Sequence, residues 1–233
     1  MRDIDYFAEL WTSRKPTQAI GHTAELWDER AEEWVAKLGV DGTGNPTMTE
    51  RVGQSTAYLL QRGLLTPATT VIDVGCGPGL HVLAIAPYVR RVVGLDFSKR
   101  FLEYGAGLAK RRGLANAEFI YGDFETMDLD TQGLAGAFDL AVSSLSPGVS
   151  SPVKIAKFAR LSRAWCFNTS FAYVQDSENS DKPGRDGTGF YSLFNLLWLQ
   201  GYYPETSYID EIRPDSECRY GSVLWDLRKR DPR

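Results

Sequence analysis

A buried strand that leads directly into a glycine-rich turn is the feature that most constrains how this chain can fold. Residues 71–80 read Val-Ile-Asp-Val-Gly-Cys-Gly-Pro-Gly-Leu. The β-branched apolar run at 70–74 predicts a strand buried on both faces, as in a parallel sheet. Glycine has no Cβ, so the turn that follows lets a ligand approach the backbone closely. A dinucleotide, a phosphate or another nucleoside cofactor would fit such a turn.

Strands and helices alternate from residue 69 onward. Apolar runs predict further strands at 92–95, 117–121, 138–142 and 165–168, and two late strands near 207–212 and 221–227. Helices are predicted at 80–86, after the cap residue Ser98, after Ser151-Pro152, and around 190–199. This rhythm indicates an α/β fold of the Rossmann-like, doubly wound type, with a mostly parallel sheet and helices on both faces.

The first sixty residues predict helices without strands. Thr23 can cap a helix that ends at Gly39. The segment Thr47-Met48-Thr49-Glu50 has the form of a capping box and predicts a second helix that ends near Gly63. We therefore expect an N-terminal helical cap or lid at residues 1–66 and a ligand-binding core at residues 67–233.

Composition limits the classes of function. With 43% hydrophobic and 24% charged residues, and no apolar run long enough to cross a bilayer, the chain reads as a globular protein without membrane association. The N-terminus lacks the apolar segment of a signal peptide, and the three cysteines lack metal-ligand spacing. A cytoplasmic protein without a metal site is expected. The net charge of −4 arises in residues 1–60, with ten acidic against six basic residues, so nucleic acid is a disfavoured partner.

The residues around the glycine turn discriminate among the ligands. A dinucleotide fingerprint would have Gly or Ala where this chain has Leu80, and a Walker loop would need a Gly-Lys-Ser/Thr sequence that is missing. Asp73 would repel a pyrophosphate but would pair well with an ammonium group. The segment resembles the first motif of the class I S-adenosylmethionine (SAM)-dependent methyltransferases, in which two hydrophobic residues precede Asp-x-Gly-x-Gly-x-Gly. A nicotinamide dehydrogenase is a distant alternative.

Two later segments agree with this resemblance. Asp96 ends the second predicted strand, where a carboxylate can accept hydrogen bonds from both hydroxyls of a ribose. Asp123 and Phe124 are similar to the family segment in which an acid reads the adenine amino group and an apolar side chain packs on the ring. Taken singly, Asp96 could be a turn residue and Asp123 a helix cap.

The resemblance implies a seven-stranded sheet whose final strand is antiparallel, and SAM as cofactor with S-adenosylhomocysteine (SAH) as product. The cofactor-binding residues that it implies are Asp73, Gly75, Cys76, Gly77, Gly79, Leu80, Asp96, Phe97, Asp123, Phe124 and Ser143.

The exit of the fourth strand is where this family usually meets its methyl acceptor. Family members that methylate base amines carry Asn/Asp-Pro-Pro-aromatic there, whereas this chain has Ser146-Pro147-Gly148. The difference argues against methylation of a nucleic-acid base, although the segment could be a simple turn.

Residues 27–34 are similar to the opening of many small-molecule methyltransferases, whose first helices close over the cofactor, but a helix packed on the sheet explains the pattern equally well. The candidate acceptor contacts are Trp27, Ser146, Pro147 and Tyr173.

Methyl transfer from a sulfonium is an in-line displacement that needs no acid for the leaving group, so orientation can supply much of the rate. A base matters only for an acceptor that must lose a proton, and His22 and His81 are the candidates. A packed or capping role is the simpler interpretation of His81. The sequence thus predicts a SAM-dependent enzyme that methylates a small molecule. An RNA or protein methyltransferase and a SAM-binding regulator without turnover are the alternatives, and the sequence does not indicate an oligomeric state.

Overall fold

A single seven-stranded sheet organises the chain in the computed structural model, which describes residues 2–13, 23–38, 46–176, 187–213 and 216–231. The strand order is β3-β2-β1-β4-β5-β7-β6. Strands β1 to β5 are parallel, whereas β7 runs antiparallel to both of its neighbours. The strands are β1 Thr70–Val74, β2 Arg91–Asp96, β3 Ala117–Tyr121, β4 Phe138–Ser144, β5 Ser162–Asp176, β6 Glu205–Arg213 and β7 Ser216–Asp226. The prediction of a Rossmann-like, mostly parallel sheet is confirmed.

Helices cover both faces of this sheet. They are α1 Ile4–Thr12, α2 Ala24–Leu38, α3 Pro46–Gln61, α4 Leu80–Ile85, α5 Lys99–Arg111, α6 Pro152–Ala159 and α7 Thr188–Leu199. On one face, Leu59 of α3 and Val82 of α4 pack against Val71 and Val142. On the other face, Phe158 of α6 joins a cluster that also holds side chains of α7 and of the inner strands. None of the helices among the described residues has the length and apolarity needed to cross a membrane.

The N-terminal helices lie on different parts of this core. Helix α1 packs against α7, and Trp11 contacts the same apolar cluster as Phe158. Helix α2 packs against α5, where Trp27 lies 6.1 Å from the ring of Phe101. Helix α3 packs against α4 and reaches β6. The three helices are therefore each attached to the core at a different place.

Several boundaries differ from those that the sequence predicts, among them the ends of α3, α4 and β5. Helix α3 begins at Pro46, one residue before the predicted capping box at 47–50; proline suits the first helical turn, whose N–H groups have no partner within the helix. Helix α4 ends at Ile85, and Pro87 lies in a 3₁₀ turn that follows. Strand β5 extends to Asp176 because it pairs with β7 beyond the end of β4.

Candidate functional site

The glycine turn after β1 lies at the carboxyl end of the sheet and presents an open stretch of backbone. Gly75, Gly77 and Gly79 all have positive φ, at 69°, 53° and 82°, which favours glycine. The amides of Gly75 and Cys76 donate to the carbonyl of Leu95 at 2.8 and 3.1 Å, and these bonds tie the turn to β2. A Cβ placed on Gly77 would meet no atom within 4 Å. A ligand can therefore reach the backbone at Gly77.

Asp96, at the end of β2, holds this turn from the side. Its Oδ2 accepts the amide of Gly77 at 2.8 Å, and its Oδ1 accepts the amide of Ser98 at 2.9 Å. Burial raises the pKa of Asp96, while hydrogen bonds from the amides of Ser98 and Gly77 act in the opposite direction. Each carboxylate oxygen has a second lone pair, so Asp96 can accept further hydrogen bonds from a ligand.

Asp73, in β1, is a second carboxyl group at the same edge of the sheet. It is only 2% exposed. Burial raises the pKa of Asp73 to about 8, and the charge of Asp96 adds to the effect. Two neighbouring acids in a poorly hydrated place favour a cationic ligand, because a positive charge would stabilise both as carboxylates.

Asp123 lies just after β3 and caps a turn. Its Oδ1 accepts the amide of Glu125 at 2.8 Å, and its Oδ2 accepts the hydroxyl of Thr126 at 3.1 Å. Asp123 itself is exposed, so its remaining lone pairs face solvent. Phe124 is buried in the apolar core, with the amino group of Lys157 lying 5.3 Å from its ring centre. Asp123 is thus available to a ligand, whereas Phe124 mainly packs.

The remaining predicted cofactor residues mostly shape the turn. The Cys76 thiol is buried, and a Cβ on Gly94 would lie 2.7 Å from its sulfur. Ser143 is fully buried and donates its hydroxyl to the carbonyl of Val74 at 3.0 Å, which links β4 to β1. Leu80 packs with the cluster between α2 and α5, and Phe97 is half-buried beside Asp96.

The loop after β4 brings one predicted acceptor residue to the glycine turn. A Cβ on Gly75 would lie 2.0 Å from Oγ of Ser146, so the Ser146 side chain covers that glycine. The same hydroxyl accepts the amide of Gly148 at 3.2 Å, while Pro147 is exposed at the start of a 3₁₀ turn. Among the described residues, Leu145 is the non-glycine residue with a positive φ, at 54°, a conformation that costs on the order of 1 kcal/mol or more.

Two predicted acceptor residues lie apart from this loop. Trp27 packs on α5, with its ring 5.6 Å from Trp34. Tyr173 is 44% exposed on the part of β5 that extends beyond β4.

His81 lies two residues after Gly79 and is buried against α3. Burial lowers the pKa of His81 to about 3, and the positive charge of Arg51 adds to the effect. The ring is therefore neutral at pH 7, and a base this weak is poorly matched to proton abstraction near neutrality. The other candidate base, His22, lies outside the described residues. Arg51 is a residue that the sequence interpretation missed, because its position in α3 carries no motif.

Comparison with known proteins identifies the domain that carries this site. Residues 65–172 match a family model described as a methyltransferase domain. An uncharacterized methyltransferase, YcgJ of Bacillus subtilis, is 35% identical over 57 residues, which make up 24% of this chain and 22% of that protein. The 23S rRNA (uracil(1939)-C(5))-methyltransferase RlmD of Xylella fastidiosa is 26% identical over 154 residues, 64% of this chain and 32% of that enzyme. This chain thus matches less than a third of the length of RlmD and less than a quarter of YcgJ.

A solved structure shares the fold over most of both chains. Magnesium protoporphyrin IX methyltransferase (ChlM) from Synechocystis, with bound SAH, superimposes with a TM-score of 0.65 at 15% identity. The similarity covers 86% of this chain and 96% of that one. The matched domain, the strand order and the glycine turn at the carboxyl edge agree with one another: residues 65–172 form a methyltransferase domain with the Rossmann-like fold of the class I SAM-dependent methyltransferases.

Proposed function

We propose that this protein transfers a methyl group from SAM to a small-molecule acceptor. The observation that carries the proposal is the link between Asp96 and Gly77. A carboxylate with spare lone pairs holds a backbone segment whose outer side is open to a ligand. This arrangement suits a cofactor that has both a ribose diol and a cationic amino-acid end.

Three acids are assigned to three parts of the cofactor. Asp96 accepts the ribose hydroxyls, because it lies at the end of β2 beside the open turn. Asp73 faces the ammonium group, and Asp123, which is exposed after β3, accepts the adenine amino group. The backbone of the glycine turn lies along the cofactor between Asp73 and Asp96. The first acid is buried and the last is exposed, so we expect the amino-acid end to lie deepest.

The charge of this site fits SAM. Burial raises the pKa of both Asp73 and Asp96, so the two carboxyl groups gain most from a ligand that brings positive charge. SAM has an ammonium and a sulfonium group against one carboxylate and is a net cation, whereas a dinucleotide would bring a pyrophosphate to the same place. The two carboxyl groups therefore favour SAM over a nicotinamide cofactor.

Orientation is the main contribution that the chain makes to the reaction. When bound, SAM supplies an electrophilic methyl group on a sulfonium that leaves as a neutral thioether. The hydrogen bond between Asp96 and Gly77 holds the glycine turn, and Ser146 of the loop after β4 lies against Gly75. The cofactor side and the acceptor side of the site are therefore held at the same edge of the sheet. Alignment of this kind can account for much of a displacement rate.

Residues 1–66 are proposed as a lid over the cofactor. Asp28 of α2 accepts the hydroxyl of Ser98 at 2.5 Å and the amide of Arg100 at 3.2 Å. Ser98 follows Asp96 by two residues, so α2 is anchored next to the proposed ribose site. A cover at this place would exclude water from the transfer.

The preference for a small acceptor rests on charge and on the loop after β4. The chain has no basic excess, and Ser146-Pro147-Gly148 offers no aromatic ring on which a base could stack. ChlM, by its name, methylates a porphyrin, which is a small molecule. An RNA methyltransferase is the second candidate, because RlmD, by its name, methylates a uracil of 23S rRNA.

Two measurements test the proposal. Calorimetric titration with SAM and SAH should give saturable binding, and well-folded protein that binds neither would refute it. Transfer of a labelled methyl group should then be followed into a small-molecule extract, bulk tRNA, ribosomal RNA and ribosomal protein. Label in the extract supports a small acceptor, whereas label in RNA or protein favours those alternatives. Binding without transfer to any acceptor would indicate a SAM-binding regulator.

A further inference from the structure

A buried arginine in α3, the helix that packs against α4, has most of its hydrogen-bond donors unused. Arg51, in α3, is 7% exposed, and neither its Nε nor its Nη1 has a hydrogen-bonding partner among the described residues. These two nitrogens carry three of the five N–H bonds of a guanidinium. The hydroxyl of Ser55, one helical turn away, and Nε2 of His81 are also buried without partners. Four unsatisfied polar atoms thus lie in one region between α3 and α4.

Neighbouring residues link this region to both sides of the proposed transfer site. The guanidinium of Arg51 lies 4.5 Å from the ring centre of Tyr220, in β7. Tyr220 packs in an apolar cluster that Leu145 contacts, and the residue after Leu145 is Ser146, which covers Gly75. On the other side, His81 follows Gly79 by two residues. Arg51 therefore lies close to His81, in the helix that follows the glycine turn, and to the cluster that Leu145 of the loop after β4 contacts.

A guanidinium is always charged in a protein, and burying it without a counter-ion is strongly unfavourable. Arg51 has no ion pair with a carboxylate in the described part of the chain, and its contact with Tyr220 uses the ring face instead of the N–H groups. His81 supplies no second positive charge, because burial holds its pKa near 3. The region therefore has one positive charge, one hydroxyl and a neutral imidazole, a set that matches a ligand with one negative charge.

We propose that Arg51 binds a carboxylate of the methyl acceptor, with the hydroxyl of Ser55 as a second donor. The inference rests on the proposed function, which it narrows to acceptors that carry a carboxylate. A dianionic phosphate would meet only one cation here, so the carboxylate is the better match. The apolar cluster around Tyr220 keeps water from this pair, which strengthens it.

Thermal unfolding of the full chain with sodium benzoate as the probe tests this inference, with sodium chloride at matched ionic strength as the reference. Benzamide is the neutral isostere, and phosphate is the alternative anion. The variants are Arg51→Met, which removes the charge at similar length, and Arg51→Lys, which keeps it. Arg90→Met is the matched control, because Arg90 is exposed. Each series is run with and without saturating SAH.

We expect benzoate to raise the Tm of the wild type and of Arg90→Met by several degrees at millimolar concentration, and benzamide to have no effect. Arg51→Met should lose the response, Arg51→Lys should keep part of it, and Arg51→Met without ligand should unfold at or above the wild-type Tm. The benzoate response should persist with saturating SAH, because the site is assigned to the acceptor. No benzoate effect on the wild type, an equal effect of benzamide, a response to phosphate alone, or a benzoate response that SAH abolishes would overturn the inference. SAH titration of the same samples reports separately on the proposed function, so the two can fail independently.

Discussion

The carboxylate of Asp96 accepts the backbone amide of Gly77 at 2.8 Å, and this bond joins the end of β2 to the turn that follows β1. Gly77 has a positive φ and open space on its outer side, so the turn depends on a bond from outside for its shape. The residue that is proposed to bind the ribose therefore also positions the turn. Removing Asp96 should therefore weaken cofactor binding in two ways, through loss of the ribose contact and through loss of the bond that positions the turn.

Replacing Asp96 by alanine should weaken SAM binding by ~1–3 kcal/mol, the usual loss when a charged hydrogen-bonding partner is removed. Asp96→Asn should lose less, because its amide oxygen can still accept one N–H. Calorimetric titration with SAM measures both. Asp130→Ala is the control, since Asp130 is exposed and pairs with Arg160 on the surface. Equal affinities for Asp96→Ala and this control would contradict the assignment.

The buried acid Asp73 should make stability depend on pH. Its pKa is about 8 in the folded protein and about 3.9 in an unfolded chain, so the folded state binds a proton that the unfolded state lacks between these values. The stabilising contribution is complete below about pH 4 and is lost as the pH rises through 8. Asp73→Asn should therefore unfold at a higher Tm than the wild type at pH 9, with a small difference at pH 5. A Tm difference between Asp73→Asn and the wild type that does not change with pH would contradict a raised pKa of Asp73.

SAM binding should release a proton from Asp73. At pH 6.5 the ligand-free acid is protonated, and the ammonium group of SAM favours the carboxylate form. Calorimetry in buffers of different ionisation enthalpy should show release of about one proton per SAM. Asp73→Asn should show none. Proton release that persists in this variant would place the titrating group elsewhere.

Alanine substitutions at two glycines of α5 should change the stability of the protein in opposite directions. A Cβ on Gly105 would lie 2.5 Å from the ring of Phe119 and 3.0 Å from the carbonyl oxygen of Pro78, whereas one on Gly107 would meet only Nη1 of Arg111, at 3.5 Å. Gly105→Ala should destabilise the protein by ~1–3 kcal/mol through overpacking. Gly107→Ala should stabilise it by about 0.5–1 kcal/mol, since alanine is the better helix former.

Denaturant unfolding measures both free energies. A double variant, Gly105→Ala with Phe119→Leu, should be less destabilised than the sum of the single changes, because leucine frees the space that the new methyl group needs. Additive effects would show that Phe119 is not the obstacle.

The anchor of α2 should control how the proposed lid moves. Asp28→Ala removes the acceptor for the Ser98 hydroxyl and the Arg100 amide, and it should lower the free energy of unfolding by about 1.5 kcal/mol. Amide hydrogen exchange in α2 should become faster, with Glu29→Ala, at an exposed position, as control. SAH should slow exchange in α2 of the wild type. Unchanged exchange with SAH would contradict a lid.

The fold and the turn could be predicted because their signals are local. The β-branched run of β1 and the glycines after it are contiguous, and the carboxyl ends of neighbouring parallel strands meet at one edge, which brings Asp73 and Asp96 together. The length of β5 could not be predicted, because its second half is supported by pairing with β7. The sequence also gives no sign that Ser143 is fully buried between two strands.

Arg51 was missed for a similar reason. Its burial depends on Tyr220, which lies in the last strand, and a helical pattern around residue 51 contains no information about that contact. The positive φ of Leu145 is likewise set by the loop that brings Ser146 to Gly75. Contacts between distant segments fix the acceptor side of the site, whereas a local motif fixes the cofactor side.

The three cysteines provide chemical reporters of three separate regions. Cys76 lies in the glycine turn, Cys166 in the first half of β5 and Cys218 near the start of β7, and all three are buried. Burial raises the pKa of Cys76 and Cys166 well above the ordinary value, so little reactive thiolate forms in the native state. The rate at which each thiol is labelled therefore measures how often its own region opens. A ligand on the glycine turn should slow the labelling of Cys76 more than that of the other two thiols, which allows cofactor binding to be followed without any introduced probe.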